Sequence, residues 1–491
     1  MATERGLVLQ MDVHRISLPV YTKEEVAKHR TKETGIWVTY KDGVYDVTEW
    51  AAIHPGGEAR IMMAAGAAID PFWAMYQQHN TAQVRDILEG YRIGRLEGGP
   101  PPPPSDPYAN EPKDRLPVFI VRSSRPMNAE PPLELLSGSL ITPTELFYVR
   151  NHLPVPDIKE AEYKLTIAGE GVRHVEFSLE DLKTKFRSHT IAAVVQCSGN
   201  RRNEFYGVKE VQGLEWGGGA LGNATWTGVK LSDVLAAAGL EANPDGSAAG
   251  SAARHVQFEG ADNDGAGLRY AASIPLYKAL NARGDVLLAY EMNGKPLTRD
   301  HGAPVRVVVP GAAGCRSVKW LERVVLSAEE SSSQWQRKDY KGFSPNVDWD
   351  NVDWDSAPPI DAMPVTSMIC EPKDGSSVDV TDDTVALKGY AWSGNGQKIV
   401  RVDVSCDGGQ SWQTAELEQV PQEYGRAWAW SLWTLELELP KNLKVGQTLD
   451  VVVKATDESY NTQPQKPDGI WNLRGVLCNS WHTIKLCVAD D

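Results

Sequence analysis

Five consecutive prolines, Pro100–Pro104, inside "LEGGPPPPPSDPYANEPKDRLP" constrain this 491-residue chain more than any other stretch. Such a run has no backbone N–H donors and favours an extended polyproline conformation, so it can complete neither a helix nor a sheet ladder. With polar flanks it reads as a semi-rigid spacer over residues 98–116. The chain must therefore fold as separate parts on either side of it. The C-terminal side alone holds about 375 residues, more than one core ordinarily serves.

Before the spacer, residues 20–97 alternate short strand-like runs ("GIWVTY", "GVYDV") with helical ones ("TKEEVAKHR", "AQVRDILEGY"), which predicts a small α+β domain. After it, residues 117–345 mix apolar strand-like runs such as "TIAAVVQ" and "PVRVVVPG" with helical pieces such as "KLSDVLAAAGL", a mixed α/β pattern. The acidic near-repeat "VDWDNVDWDSAPP" marks the next boundary. Residues 346–491 show period-two strands ("IVRVDVSCDGG", "LDVVVKATDES") with a hairpin turn at Asp407-Gly408-Gly409, which predicts an all-β sandwich. Its Trp392, Trp412, Trp428, Trp430 and Trp433 are expected in the core and between the sheets.

Composition removes several classes of function. A net charge of -15 without a long Lys/Arg run argues against nucleic acid as a partner. No apolar stretch approaches the roughly 20 residues that span a bilayer, so membrane insertion is not expected. The six cysteines show no C-x-x-C pair, which signals neither a disulfide framework nor a cysteine zinc site. The opening "MATERGLVLQMDVHRISLPV" lacks the apolar core of a secretory signal and makes a weak mitochondrial presequence.

Two histidines, His54 and His79, flank a stretch rich in Ala and Met, and His54 opens the turn "HPGG". Two imidazoles across an apolar crevice can fill both axial positions of a haem iron, leaving a site that moves electrons only. The slim turn would let backbone lie against the macrocycle. Residues 21–97 closely resemble cytochrome b5, a resemblance that implies His54 and His79 as ligands of a b-type haem. The segment from Val20 to Gly98 carries nine Lys/Arg against eleven Asp/Glu, so the haem edge is mildly acidic and suits a basic redox partner.

In "TIAAVVQCSGNRRNEF", Cys197 follows an apolar strand and precedes Arg201 and Arg202, whose charge would favour a thiolate. Taken alone it reads more readily as a buried structural cysteine. Further cationic segments, "FYVRNHLPVP", "LTRDHGAPVRVVVPG" and "CRSVKW", describe a groove for a large phosphate-bearing ligand. Together with "YEMNGKPL", "WQRKDYKGFSP" and "IWNLRGV" these segments resemble animal sulfite oxidases, from Tyr21 to near the C-terminus.

That resemblance implies molybdenum bound by Cys197 and by molybdopterin. It implies cofactor contacts from Tyr148, Val149, Arg150, Asn151 and His152, and from Asp262, His301, Arg306, Ser317, Val318 and Lys319. It implies an oxyanion pocket of Arg150, Arg202, Trp216, Tyr340 and Arg474, the last requiring the β region to fold back over the site. The fold it implies places a molybdopterin domain of sulfite oxidase type between the haem domain and an immunoglobulin-like dimerisation sandwich. The expected activity is oxidation of sulfite, with electrons passed singly through the haem to cytochrome c, in a homodimer of the mitochondrial intermembrane space. A nitrate reductase-like enzyme and a non-enzymatic haem carrier are the alternatives. Gln212, where a lysine is usual, and the glycine-rich stretch 217–222 depart from the family pattern, which bears on sulfite affinity.

Overall fold

The computed structural model describes residues 18–54, 57–76, 79, 81–100, 106–243, 245–264 and 267–490. The chain forms two compact units, meeting in sequence between Ala109 and Asn110. Most of the proline run and the N-terminal 17 residues lie outside the described residues.

The first unit is built on a sheet in the order Val20–Tyr21, Arg92–Leu96, Gly43–Asp46, Gly35–Tyr40, Arg30–Thr31, with Ala67–Ala68 also paired to Gly35–Tyr40. Tyr40 pairs with Gly43 across a two-residue turn whose Lys41 sits at φ 53°. Short helices Thr48–Ile53, Glu58–Met62, Asp70–Met75 and Ala82–Glu89 follow the strands. Thr81 caps the last of these, its hydroxyl accepting from the Val84 N–H at 3.3 Å, which satisfies one donor that the helix leaves open. Ile36, Val38, Tyr45, Val47, Ala51 and Leu88 form the core between sheet and helices.

The spacer is anchored at both ends. The buried Tyr108 donates its hydroxyl to the Met75 carbonyl at 2.7 Å, so residues just after the prolines belong to the first unit. Arg115 bridges Glu111 at 2.6 Å and Asp300 at 2.7 Å, and Glu111 also accepts from the Val155 N–H at 2.9 Å, which fixes the other end to the second unit.

The second unit contains two five-stranded sheets in its α/β part. One has the order Val175–Ser178, Lys164–Gly169, Leu321–Ser327, His255–Asn263, Arg269–Pro275. The other runs Ser188–Gln196, Leu221–Lys230, Leu287–Met292, Lys295–Pro296, with Arg306–Val308 joined to Leu287–Met292. The strand ending at Gln196 pairs antiparallel with Leu221–Lys230, so Cys197 does not lie at the edge of a parallel sheet, where ligand crevices usually form. What Cys197 has beside it is the parallel bridge Gln196–Ala313, which draws the Gly314–Arg316 turn alongside the strand end.

The β part of this unit packs Thr366–Glu371, Thr384–Trp392, Ser431–Glu438 and Glu416–Gln419 against a second sheet of Ser377–Asp379, His482–Ala489, Thr448–Asp457, Ile399–Ser405 and Gln413–Thr414. The hairpin at Asp407 forms as expected, with Gly408 and Gly409 at φ 73° and 87° and the Asp407 carboxylate accepting from the Gln410 and Ser411 N–H groups. The tryptophans divide their roles. Trp433 joins the sandwich core, whereas Trp392 donates to the Gln196 side chain at 2.5 Å, Trp428 to Asp285 at 3.0 Å and Trp430 to the Leu140 carbonyl at 2.9 Å. Trp412 is half-buried against Trp481. Several of these indoles thus fasten the sandwich to the α/β part, because each buried N–H needs an acceptor the sandwich core lacks.

Candidate active site and haem site

In the first unit, His54 ends the helix Thr48–Ile53 and His79 follows Asp70–Met75 by four residues. Their rings are nearly parallel, 6° apart in plane, with centroids 6.1 Å apart. Metal–imidazole bonds of about 2 Å, with roughly an ångström more to each ring centre, require about this separation. Nδ1 of His79 faces the Tyr76 carbonyl at 2.9 Å and Nδ1 of His54 faces the Gly57 carbonyl at 3.3 Å. A carbonyl only accepts, so each Nδ1 carries the proton and each Nε2 keeps its lone pair. Burial holds both imidazoles below their usual pKa, hence neutral, as ligands must be. Gly57, at φ 90°, has no atom of another described residue beyond its chain neighbours within 4 Å of where a Cβ would stand, which is consistent with open space for a flat ligand. Pro55 and Gly56 of the turn lie outside the described residues.

In the second unit, a cavity of roughly 650 Å³ including its mouth opens at the end of the Ser188–Gln196 strand. Of the residues named from sequence, Tyr148, Arg150, His152, Cys197, Asp262, His301, Arg306, Ser317, Val318, Lys319 and Tyr340 line it. Val149, Asn151, Arg202, Trp216 and Arg474 are not on its wall. Val149 is a strand residue paired with Ala129, and Asn151 is buried just behind, accepting from Lys319. Trp216 packs in the same apolar cluster as Cys197.

The wall is cationic and held by neutral acceptors. Arg150 donates to Asn128 Oδ1 at 3.1 Å, to the Asn151 carbonyl at 2.6 Å and to the Tyr340 hydroxyl at 3.4 Å. His152 Nε2 meets the same hydroxyl at 2.5 Å. Arg306 donates to the His301 and Ser317 carbonyls, both at 3.0 Å. Burial pushes Arg306 down to about 10, Lys319 down to about 7 and His301 down to about 4, the last two against the pull of the Asp300 carboxylate and with neighbouring cations adding to the fall. Burial also pushes Asp262 up to about 7, against the pull of Lys319. Concentrating like charges away from water is costly unless an anion completes the set.

Buried polar atoms without partners also concentrate here: Arg150 Nε, Asn151 Nδ2, Ser198 Oγ, Trp216 Nε1 and Asp262 Oδ1. Orphans of this kind are rare in a finished core, and the Arg150, Asn151, Ser198 and Trp216 groups fit a polar, anionic ligand that would take up their hydrogens, while the Asp262 oxygen is left to accept from a ligand donor. Cys197 is buried and unpaired beside them.

The two adjacent arginines turn to different partners. Arg201, at φ 64° and fully buried, turns away to pair with Glu204 at 2.6 Å and to donate to the Ser367 and Ser480 carbonyls. It rivets the sandwich to the α/β part. Arg202 instead stays on the cavity side of the chain, where burial lowers its pKa, and donates to the Gly475 carbonyl at 2.9 Å and the Leu214 carbonyl at 2.8 Å. Its slot exists because Gly199, Gly213 and Gly475 lack a Cβ; one built on any of them would come within 3.0 Å of the Arg202 side chain. Arg474 arrives from the β region as the motif required, and pairs with Asp339 at 3.0 Å.

The glycine-rich stretch also has a packing reason. Glu130 accepts from the Gly217 and Gly219 N–H groups at 2.7 and 2.8 Å, and Cβ atoms at Gly218 or Gly222 would strike Met368 or Phe147. Gln212 is exposed and off the cavity wall. Sequence reasoning missed Tyr270, Asp300, Cys315 and Trp320 on the wall. Asp300, Cys315 and Trp320 sat inside quoted motifs, whereas Tyr270, stacked on His152 at 4.6 Å, lies in a strand with no motif signal.

Three family descriptions match consecutive parts of the chain: a cytochrome b5-like heme/steroid binding domain over residues 22–97, an oxidoreductase molybdopterin binding domain over 152–335 and a Mo-co oxidoreductase dimerisation domain over 357–489. Fold and site together define a molybdopterin-binding oxidoreductase that carries a cytochrome b5-like haem module. Mitochondrial sulfite oxidase of Drosophila melanogaster is 51% identical over 96% of this chain and 82% of its own, and that of Homo sapiens is 50% identical over 99% and 88%. The sulfane dehydrogenase SoxCD of Paracoccus pantotrophus superposes with a TM-score of 0.60 at 26% identity, covering 77% of this chain and 87% of that one. The chain belongs to the sulfite oxidase family.

Proposed function

We propose that this chain oxidises sulfite to sulfate and passes the electrons one at a time to cytochrome c. When bound, molybdopterin supplies a molybdenum that accepts the electron pair from sulfur, and haem b supplies an iron that relays single electrons. The observation that carries this reading is the Cys197 thiol in a cavity walled by Arg150, His152 and Tyr340 and edged by unpartnered buried donors.

Cys197 is the molybdenum ligand, a soft thiolate suited to a high-valent metal. Tyr148 to His152, Asp262, His301, Arg306 and Ser317 to Lys319 hold the pterin and its phosphate, with Arg306 and Lys319 supplying positive charge. Arg150, Arg202, Trp216, Tyr340 and Arg474 bind the substrate anion: guanidiniums grip a tetrahedral dianion by charge-assisted hydrogen bonds, and the Tyr340 hydroxyl donates. Burial holds the Tyr340 phenol above its usual range, so it stays protonated as a donor at neutral pH. The apolar cluster around Cys197 excludes water and strengthens each of these contacts. His54 and His79 ligate the haem.

The domain division 20–97, 98–116, 117–345 and 346–491, homodimer formation through the last segment and residence in the mitochondrial intermembrane space belong to the same reading. The haem match precedes the molybdopterin match, which favours sulfite over the nitrate reductase-like alternative. The test is anaerobic addition of sulfite to purified protein of known metal content. Molybdenum near one per chain and a reduced b-type haem spectrum are expected. Protein holding haem without molybdenum, or staying oxidised with sulfite, overturns the proposal in favour of a carrier.

A further inference from the structure

The three guanidiniums assigned to the anion differ in their partners. Arg150 and Arg202 donate to carbonyls, an amide oxygen and a phenol, all neutral. Arg474 alone among them faces a carboxylate: its Nη2 lies 3.0 Å from Asp339 Oδ1 and its Nε donates to the Asp339 carbonyl at 3.3 Å. Its Cζ also lies 5.7 Å from the Trp349 ring centre, and Trp349 is 40% exposed. Asp339 is the chain neighbour of Tyr340, which lines the cavity, and the Arg474 charge adds to burial in lowering the pKa of Arg202. Both contacts of Arg474 come from the segment "KDYKGFSPNVDWD", Asp339 from the motif that carries Tyr340 and Trp349 from the acidic near-repeat that marks the domain boundary.

A carboxylate beside an anion site is costly to binding, since it repels the ligand and competes for the arginine. Its presence has a use where reactant and product are both compact dianions: an uncompensated set of three cations would retain sulfate as firmly as it captures sulfite. From this arrangement we propose that Asp339 is a positioning residue that sets the anion affinity of the site. It holds Arg474 against Trp349 and offsets its charge, so that sulfate leaves readily. This inference rests on the sulfite-oxidising function proposed above.

The experiment uses the oxidised holoenzyme with sulfate as the probe, comparing wild type, Asp339→Asn, Asp339→Glu and Arg474→Gln. Calorimetric titration reads the sulfate Kd directly, and the rise in Tm with sulfate reads it independently of turnover. Asp339→Asn should bind sulfate about three- to tenfold more tightly, with KM for sulfite and the sulfate inhibition constant falling together and kcat falling as product is retained. Asp339→Glu should restore wild-type sulfate affinity, and in an Arg474→Gln background Asp339→Asn should lose most of its effect. If Asp339→Asn does not fold, Asp339→Ser supplies the neutral variant. A neutral variant that binds sulfate no more tightly than wild type, or more weakly, overturns the inference. Wild-type protein that neither binds sulfate nor reduces its haem with sulfite overturns the parent function instead.

Discussion

The haem site and the cavity site are built on opposite plans. His54 and His79 are 25 residues apart in one compact unit, and each imidazole is oriented by a backbone carbonyl three residues away. The cavity draws Arg150, Cys197, His301, Lys319 and Tyr340 from five separate segments, and Arg474 reaches the same region from the β part. A local site can be lost or repaired with little effect elsewhere. A dispersed one depends on every contact that holds its segments together.

The hardest test of that contrast is Cys197→Ser, which should lower sulfite-dependent ferricyanide reduction by roughly three orders of magnitude or more while the haem spectrum stays intact. The mirror experiment is His79→Ala. Haem and cytochrome c reduction should be lost, by more than the roughly 10–100-fold that disturbing a ligand's surroundings costs, while sulfite-to-ferricyanide activity survives. If either variant abolishes both half-activities, the two sites are not independent as their construction implies.

Arg150→Gln should sharpen the picture within the cavity. Loss of one charged donor costs about 2–3 kcal/mol, or roughly 30–150-fold in kcat/KM for sulfite, with most of the change in KM. An unchanged KM would remove Arg150 from the anion pocket.

The smallest effect probes the framework. Burial pushes His482 down to about 4, below its unfolded value of about 6.5, and its Nδ1 accepts from the Ile369 N–H at 3.1 Å. Between those values the unfolded chain binds the extra proton, so stability is full above about pH 6.5 and falls as pH drops towards 4, by up to roughly 3 kcal/mol. Thermal melts across that range should show a steeper decline for wild type than for His482→Asn. Parallel curves would mean that other groups govern the acid transition.

The proposed haem ligands were legible because both histidines, the HPGG turn and the flanking helices fall within one short window, and the likeness of that window to cytochrome b5 supplied their role. Cys197 and the motif arginines were legible as residue types in the right company. Their division of labour was not: Arg201 and Arg202 are neighbours in sequence, and only the left-handed backbone at Arg201 sends one to the sandwich and the other towards the thiol. Tyr270 escaped notice because strand packing, which leaves no motif, brings it to the wall, whereas Cys315 lay within a quoted motif and only the Gln196–Ala313 bridge shows that it faces the cavity.

By itself, then, the sequence determined the order of the parts, the candidate haem ligands and the chemistry available to a buried cationic groove, because those follow from local patterns, side-chain types and family likeness. The tertiary structure decided which cations face the ligand, which rivet the sandwich, and that Asp339 stands against Arg474. The reason is physical: a charge acts through distance and burial, and for groups as far apart along the chain as Asp339 and Arg474, only folding sets either.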